Sequence, residues 1–313
     1  MNNYLTIAVA SLLAMGACKS SEQPAQQQPV AQQQGQQLPP LPAFDSEGHR
    51  GARGLMPENT VPAMRKAIDL GMTTIEMDCH ITKDKKVVVT HDPHINPAYA
   101  RTPDGKDIPK ADAKKYVIYQ MNYDEVRQFD MGTKPYSLYP QQQKMEAYIP
   151  QLEELIDSVQ QYLQVKGLPQ VFYNIETKSK EGNDNILHPG PAEFVDLLVG
   201  VVEKKGITPW VIIQSFDVRT LQELNKRYPH IRTSLLISNE DSFEQNLEKL
   251  GFTPTIYSPH TRLVTAELVK KCHDKQMKIV PWTSNTAEDI ARLKALGVDG
   301  IITDYPNLLT SPN

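Results

Sequence analysis

From residue 151 onward the chain repeats one unit, a helix-like stretch followed by a short strand-like one, six times over. The stretches Gln151 to Leu163, Pro191 to Lys205 and Val218 to Arg227 lead to Gln170 to Glu176, Trp210 to Gln214 and Ile231 to Ile237. The stretches Asp241 to Leu250, Thr265 to Lys275 and Ala287 to Leu296 lead to Pro254 to Tyr257, Lys278 to Trp282 and Gly300 to Thr303. Strands joined through amphipathic helices run parallel, because a parallel neighbour can be reached only by a long crossover. Upstream, Ala43 to His49, Thr74 to Ile81 and Val87 to His91 are further strand candidates. A helix runs from the capping Thr60, with Pro62 in its first turn, to the stop at Gly71. The strand-like segments number nine, one more than a closed α/β barrel of eight needs. The surplus is Val87 to His91, because the turn Lys83-Asp84-Lys85-Lys86 is too short for a crossover and predicts an antiparallel hairpin on the barrel rim. A doubly wound sheet would also accommodate these helices, but no Gly-rich phosphate loop follows the first strand.

At 40% hydrophobic and 22% charged, the 313 residues can bury a sizeable core, and a net charge of -4 without any Lys/Arg run excludes a nucleic-acid footprint. The apolar run Leu5 to Ala17 is too short to span a bilayer but suits an export signal. Met15-Gly16-Ala17-Cys18 resembles the lipobox of bacterial lipoproteins. The expectation is a signal peptide over 1–18, a lipid anchor at Cys18 and an exported protein held at a membrane surface; the alternative is an amino-terminal core element. Residues 19–43 are Gln- and Pro-rich with almost no aliphatic side chains, a disordered tether ahead of one domain over 44–313. Cys79 and Cys272 are too few for a disulfide framework or thiolate site and read as buried free thiols, although they could pair in an oxidising compartment.

The chemistry concentrates between Gly48 and Asp92. Period two over Thr74 to Ile81 puts Glu76 and Asp78 on one face and Ile75, Met77, Cys79 and Ile81 on the other. The hairpin then returns His91 to the level of the carboxylates. Phe172 to Lys178 repeats the pattern, with Glu176 and Lys178 on one face. Three carboxylates at neighbouring strand ends repel unless a cation neutralises them, and an all-oxygen ligand set favours Mg²⁺ or Ca²⁺. The competing reading is a salt-bridge network with Arg50 and Lys178. His49 and His91 suit acid and base work near neutral pH, and Arg50 and Lys178 suit a phosphate oxyanion. Gln214, Trp282 and Asp304 also fall at strand ends. Residues 93–148 show no separate core and read as an insertion over the site. Its Tyr99, Tyr116, Tyr119, Tyr123, Tyr136 and Tyr139 either form an aromatic platform for an alcohol headgroup or pack the insertion down.

With these residues in place the sequence resembles the glycerophosphodiester phosphodiesterase family. The resemblance rests on His49-Arg50-Gly51, Pro57-Glu58-Asn59-Thr60, Glu76-x-Asp78, Thr82-Lys83-Asp84, His91-Asp92, Glu176-x-Lys178, Ser215-Phe216, Trp282-Thr283 and Thr303-Asp304, in that order. It implies a TIM barrel with an insertion over the active site, and metal-dependent cleavage of glycerophosphodiesters to sn-glycerol 3-phosphate and an alcohol. It further implies that Glu76, Asp78 and Glu176 hold one divalent cation and that His49 and His91 are the acid/base pair. Arg50 and Lys178 would meet the phosphate, Trp282 would line the glycerol pocket, and Glu58 would support this set. Phospholipase-like cleavage of an intact lipid or lysolipid is the alternative activity; a silent phosphate-binding lipoprotein is a third.

Overall fold

The structure, a computed structural model, describes Met1 and residues 38–310. The expected signal peptide, Cys18 and most of the tether lie outside the described residues. Among the described residues no helix is long and apolar enough to cross a membrane.

The first strand, β1 (Asp45–Gly48), is followed by helix α1 (Val61–Asp69), β2 (Thr74–Ile81) and β3 (Val87–Val89). A four-residue helix α2 (Tyr123–Val126) lies within the insertion. The repeating units then follow as α3 (Leu152–Lys166), β4 (Phe172–Thr177), α4 (Pro191–Lys204), β5 (Val211–Ser215), α5 (Val218–Arg227) and β6 (Arg232–Ile237). They continue as α6 (Phe243–Leu250), β7 (Ile256–Pro259), α7 (Ala266–Asp274), β8 (Lys278–Ile279), α8 (Ala287–Leu296), β9 (Gly300–Thr303) and the terminal turn α9 (Asn307–Thr310).

Eight of the strands lie side by side and parallel in the order β8-β7-β6-β5-β4-β2-β1-β9. Three backbone bonds beyond this ladder join its ends: Asp299 N–H donates to Ile279 O at 2.9 Å, Ile302 N–H to Pro281 O at 3.0 Å and Ser284 N–H to Ile302 O at 3.0 Å. The sheet is therefore a nearly closed TIM barrel. The ninth strand, β3, pairs antiparallel with β2 alone, Cys79 facing Val89, as the short turn requires. Strand β8 is shorter than the sequence suggests because Pro259 of β7 has no N–H to offer Val280 O and Pro281 has none to offer β9.

Alternation divides each strand between two cores. Ile75, Met77, Tyr173, Ile175 and Ile213 face outward and pack with Met64, Leu155 and Phe194 of the surrounding helices. Ile212, Ile256, Val280 and Ile302 turn inward and meet one another across the barrel. All eight residues of β2 are buried, so Glu76 and Asp78 do not lie on a solvated face. Helix α1 begins where Thr60 Oγ1 accepts the Ala63 N–H, and it buries Ala63, Met64, Ala67 and Ile68. The chain ahead of it must turn tightly beneath that helix. At Gly51 (φ +80°) a Cβ would stand 2.5 Å from the Ala63 carbonyl carbon, so only glycine fits.

Residues 93–148 belong to the same compact unit as the barrel. Contrary to the sequence reading, they do carry a small core: Ile95, Ile108, Ile118, Tyr123, Val126 and Phe129 cluster there against Val88 of the hairpin. Tyr99, Tyr123 and Tyr136 are buried in it, which is the packing alternative for these three. Cys79 and Cys272 are buried free thiols.

Candidate active site

The β1–α1 loop places most of the site. Arg50 adopts a left-handed backbone (φ 49°), uncommon for a residue with a side chain. That turn aims its N–H at Glu76 Oε2, 2.7 Å away, while its side chain reaches Asp78 Oδ2 at 3.2 Å and Glu58 Oε1 at 2.6 Å. Asn59, also left-handed (φ 57°), donates from Nδ2 to Asp78 Oδ2 at 2.8 Å and accepts the Asp78 N–H at 3.2 Å. Two strained loop residues therefore hold the two β2 carboxylates in place.

Glu76, Asp78 and Glu176 are all buried, and one oxygen from each lies within 4.8 Å of the others. The parallel register that sets Asp78 opposite Glu176 is what joins positions far apart in the chain. Glu76 is held from beneath by an amide chain: Gln214 Nε2 donates to its Oε1 at 2.8 Å, while Asn174 Nδ2 lies 3.1 Å from Gln214 Oε1 and 2.8 Å from Glu47 Oε2. Lys178 Nζ donates to Glu176 Oε1 at 2.8 Å and lies 3.8 Å from Asp78 Oδ1. Asp78 Oδ1 is buried and makes no hydrogen bond.

Burial and the neighbouring Asp78 push Glu76 well above the usual carboxylate range. Burial acts on Asp78 too, but Arg50, His91 and Lys178 outweigh it and hold that carboxyl well below its usual range. The competing salt-bridge reading describes contacts that are present, yet charge counting shows that it is incomplete. Five buried carboxylates, Glu58, Glu76, Asp78, Glu176 and Asp304, face three cations, Arg50, Arg53 and Lys178. The two uncompensated charges need protons or a divalent cation.

His49 Nδ1 lies 2.6 Å from Asp304 Oδ1, which leaves Nε2 on the side of Glu76, 4.0 Å away. Burial lowers the His49 pKa despite Asp304, favouring a neutral ring whose Nε2 carries a lone pair. Asp304 Oδ2 in turn accepts from Tyr139 OH at 3.0 Å and Asn285 Nδ2 at 2.7 Å. Tyr139 thus departs from the other insertion tyrosines: it reaches the carboxylate behind His49 and lies under Arg53, 4.5 Å from its ring centre. His91 is paired similarly, Nδ1 to Asp92 Oδ1 at 2.9 Å, and is about a third exposed.

Glu58 lies beside Arg50 and Arg53. Its two oxygens are taken by Arg50 and Arg53, at 2.6 and 2.7 Å, so it positions guanidinium groups and repels an anion. Arg53, Asn59 and Asp304 are site residues to which the sequence reading gave no role, although Asn59 and Asp304 stand in quoted motifs. A cavity of about 170 Å³ gathers His49, Arg50, Glu76, Asp78, His91, Glu176, Lys178 and Trp282. The Trp282 indole is fixed by its Nε1–H to Ser258 O (3.0 Å) and by edge contact with Phe216.

His80 anchors the hairpin that carries His91, its Nε2–H donating to His91 O at 3.0 Å. Burial pushes its pKa down from 6.5 to about 3. Above pH 6.5 the ring is neutral folded or unfolded; below it, the unfolded chain binds a proton that the folded one refuses. This residue therefore removes about 1.4 kcal/mol of stability per pH unit between about 6.5 and 3. Urea unfolding at pH 7 and pH 5 is expected to show a smaller pH difference in His80→Gln; an unchanged difference refutes the assignment.

A sequence model of the glycerophosphoryl diester phosphodiesterase family matches residues 49–308. The chain belongs to that family. A glycerophosphodiester phosphodiesterase of Caldanaerobacter subterraneus subsp. tengcongensis is 29% identical over 265 residues, 83% of this chain and 94% of the relative. A solved structure from Silicibacter pomeroyi assigned to the same family superposes with a TM-score of 0.75 at 30% identity, covering 85% of this chain and 91% of its own. An Oleispira antarctica phosphodiesterase, solved with its product sn-glycerol-3-phosphate, shares the fold at TM-score 0.66 and 23% identity, covering 85% and 97%. The match begins at His49 and includes every group of the cavity described above.

Proposed function

We propose that this family member hydrolyses glycerophosphodiesters to sn-glycerol 3-phosphate and an alcohol, using one divalent cation. The observation that carries the reading is the trio Glu76, Asp78 and Glu176, buried within 4.8 Å of one another and flanked by a histidine–aspartate pair. The trio fits a hard cation: the donors are all oxygen, Asp78 Oδ1 is buried with no hydrogen bond, and the five buried carboxylates named above outnumber the three cations that face them. Its donor set suits Ca²⁺ or Mg²⁺. When bound, the cation would supply positive charge for the phosphoryl oxygens.

The remaining roles belong to the chain. Arg50 and Lys178 supply further positive charge for the phosphoryl oxygens. His49, oriented by Asp304, presents Nε2 as the base that takes a proton from the water whose oxygen bonds to phosphorus as the bond to the alcohol oxygen breaks. His91, paired with Asp92, returns a proton to the departing alcohol oxygen, and Trp282 walls the glycerol side. The apolar run ending at Cys18 supports an exported, lipid-anchored form, with the Gln/Pro-rich stretch as tether and residues 93–148 as an insertion within the catalytic domain.

Incubation of the purified chain with glycerophosphoethanolamine is expected to release glycerol 3-phosphate. Chelation by EDTA is expected to lower the rate at least 100-fold, and added Mg²⁺ or Ca²⁺ to restore it. Absence of glycerol 3-phosphate under either cation refutes the reading, and a rate indifferent to chelation refutes its metal dependence.

A further inference from the structure

A second, larger cavity opens from the first. It measures about 630 Å³ and shares His91, Glu176, Lys178 and Phe216 with the site cavity, so the two are continuous. Its lining includes residues from the 178–188 segment of the β4–α4 loop, Leu187 among them, together with Pro93 and Val218. The proposed function leaves this space unused.

The loop is built more firmly than a connection requires. His188 is buried in it, Nδ1–H donating to Pro189 O at 2.8 Å and Nε2 accepting the Lys180 N–H at 3.0 Å. Arg219, from α5, clasps Asp184 of the loop through two bonds of 2.8 and 3.0 Å and reaches Asp217 at 2.7 Å; Asp217 in turn accepts from Ser179 at 3.0 Å. These bonds tie His188, Asp184, Arg219, Asp217 and Ser179 to one another and hold the wall in place. Lys180, Glu181 and Asn183 also line the groove, but most of the surface left toward the open space is apolar: Leu187 belongs to no core cluster, Phe216 is 42% exposed, and the neighbouring Ile186 is 55% exposed. Ordered apolar side chains left wet at the mouth of a site are characteristic of a ligand surface.

Size and chemistry select the occupant. The small cavity holds about as much space as six waters, enough for glycerol beside the phosphoryl position but not for a further large group. The group on the other side of the phosphorus must then lie past His91, in the groove. A volume of 630 Å³ falls in the range of sites for ligands far larger than ethanolamine or choline. A quaternary ammonium would call for an aromatic cage, whereas among the described residues Phe216 is the only Phe, Tyr or Trp lining this groove.

Resting on the reading above, we propose that the groove binds the departing alcohol and that the preferred substrates are glycerophosphodiesters whose alcohol carries an apolar chain. Chain burial against Leu187, Phe216 and Val218 would bring the ester oxygen beside His91.

The test compares sn-glycero-3-phosphoethanolamine with its N-octanoyl derivative, which present the same scissile bond, using the full chain with Mg²⁺ or Ca²⁺ below the micellar concentration. The octanoyl substrate is expected to show a kcat/KM at least ten-fold higher. Leu187→Asp is expected to reduce that ratio at least five-fold. Equal kcat/KM values in the unmodified protein, or a ratio unmoved by Leu187→Asp in a folded variant, overturn the proposal while leaving the phosphodiesterase reading intact. If Leu187→Asp does not fold, the two-substrate ratio of the unmodified protein decides alone. Cleavage of neither substrate defeats the underlying reading, and this proposal with it.

Discussion

Replacing Asp78 by Asn is expected to lower kcat/KM by about three orders of magnitude and to abolish tight binding of a divalent cation. Asp78 is where the charges of the site converge. Its Oδ2 takes Asn59 and Arg50, at 2.8 and 3.2 Å, while its buried Oδ1 makes no hydrogen bond and faces Lys178 at 3.8 Å. Asparagine keeps the volume but removes the one carboxylate of the trio that its neighbours hold ionised without a metal. Arg50 then retains Glu58 as its close ion-pair partner, so some destabilisation of the loop should accompany the loss. Calorimetric titration with Mg²⁺ and Ca²⁺, beside steady-state kinetics on a variant shown to be folded, separates the two effects. Cation affinity equal to the unmodified protein would sink the assignment of the trio as ligands.

The second large effect concerns His49. His49→Ala is expected to reduce kcat by about 10³, within the range for loss of a positioned general base, with little change in KM. Asp304→Asn is expected to cost about 10²: the ring remains, but an amide can present N–H to Nδ1 and stabilise the wrong tautomer. Asp304 lies 2.6 Å from His49 and is itself held by Tyr139 and Asn285, so its geometry does not depend on the histidine alone. A His49→Ala variant retaining more than a tenth of the original kcat would show that another group is the base. An Asp304→Asn variant whose loss lies only in KM would remove Asp304 from the orienting role.

Local pattern carried much of this protein. The helix that Thr60 caps, strand β2, helix α5, helix α8 and strand β9 lie where capping residues and periodicity place them, because caps and alternation act between near neighbours in the chain. The antiparallel nature of β3 was equally legible, since a four-residue turn excludes a crossover. The core of residues 93–148 was not. Ile95, Ile108, Ile118 and Phe129 are separated by turns of irregular length, so their convergence leaves no period to read.

The site divides along the same line. Alternation alone puts Glu76 and Asp78 on one face and Glu176 and Lys178 on another, and the short turn alone returns His91, each consequence spanning a few residues. Long-range packing, by contrast, pairs Glu58 with two arginines, His49 with Asp304 from 255 positions away, and Tyr139 with that same Asp304. Such contacts depend on barrel closure between the first and last strands and on where a loop folds back. Both are set by packing over the whole domain, which no local stretch of sequence encodes.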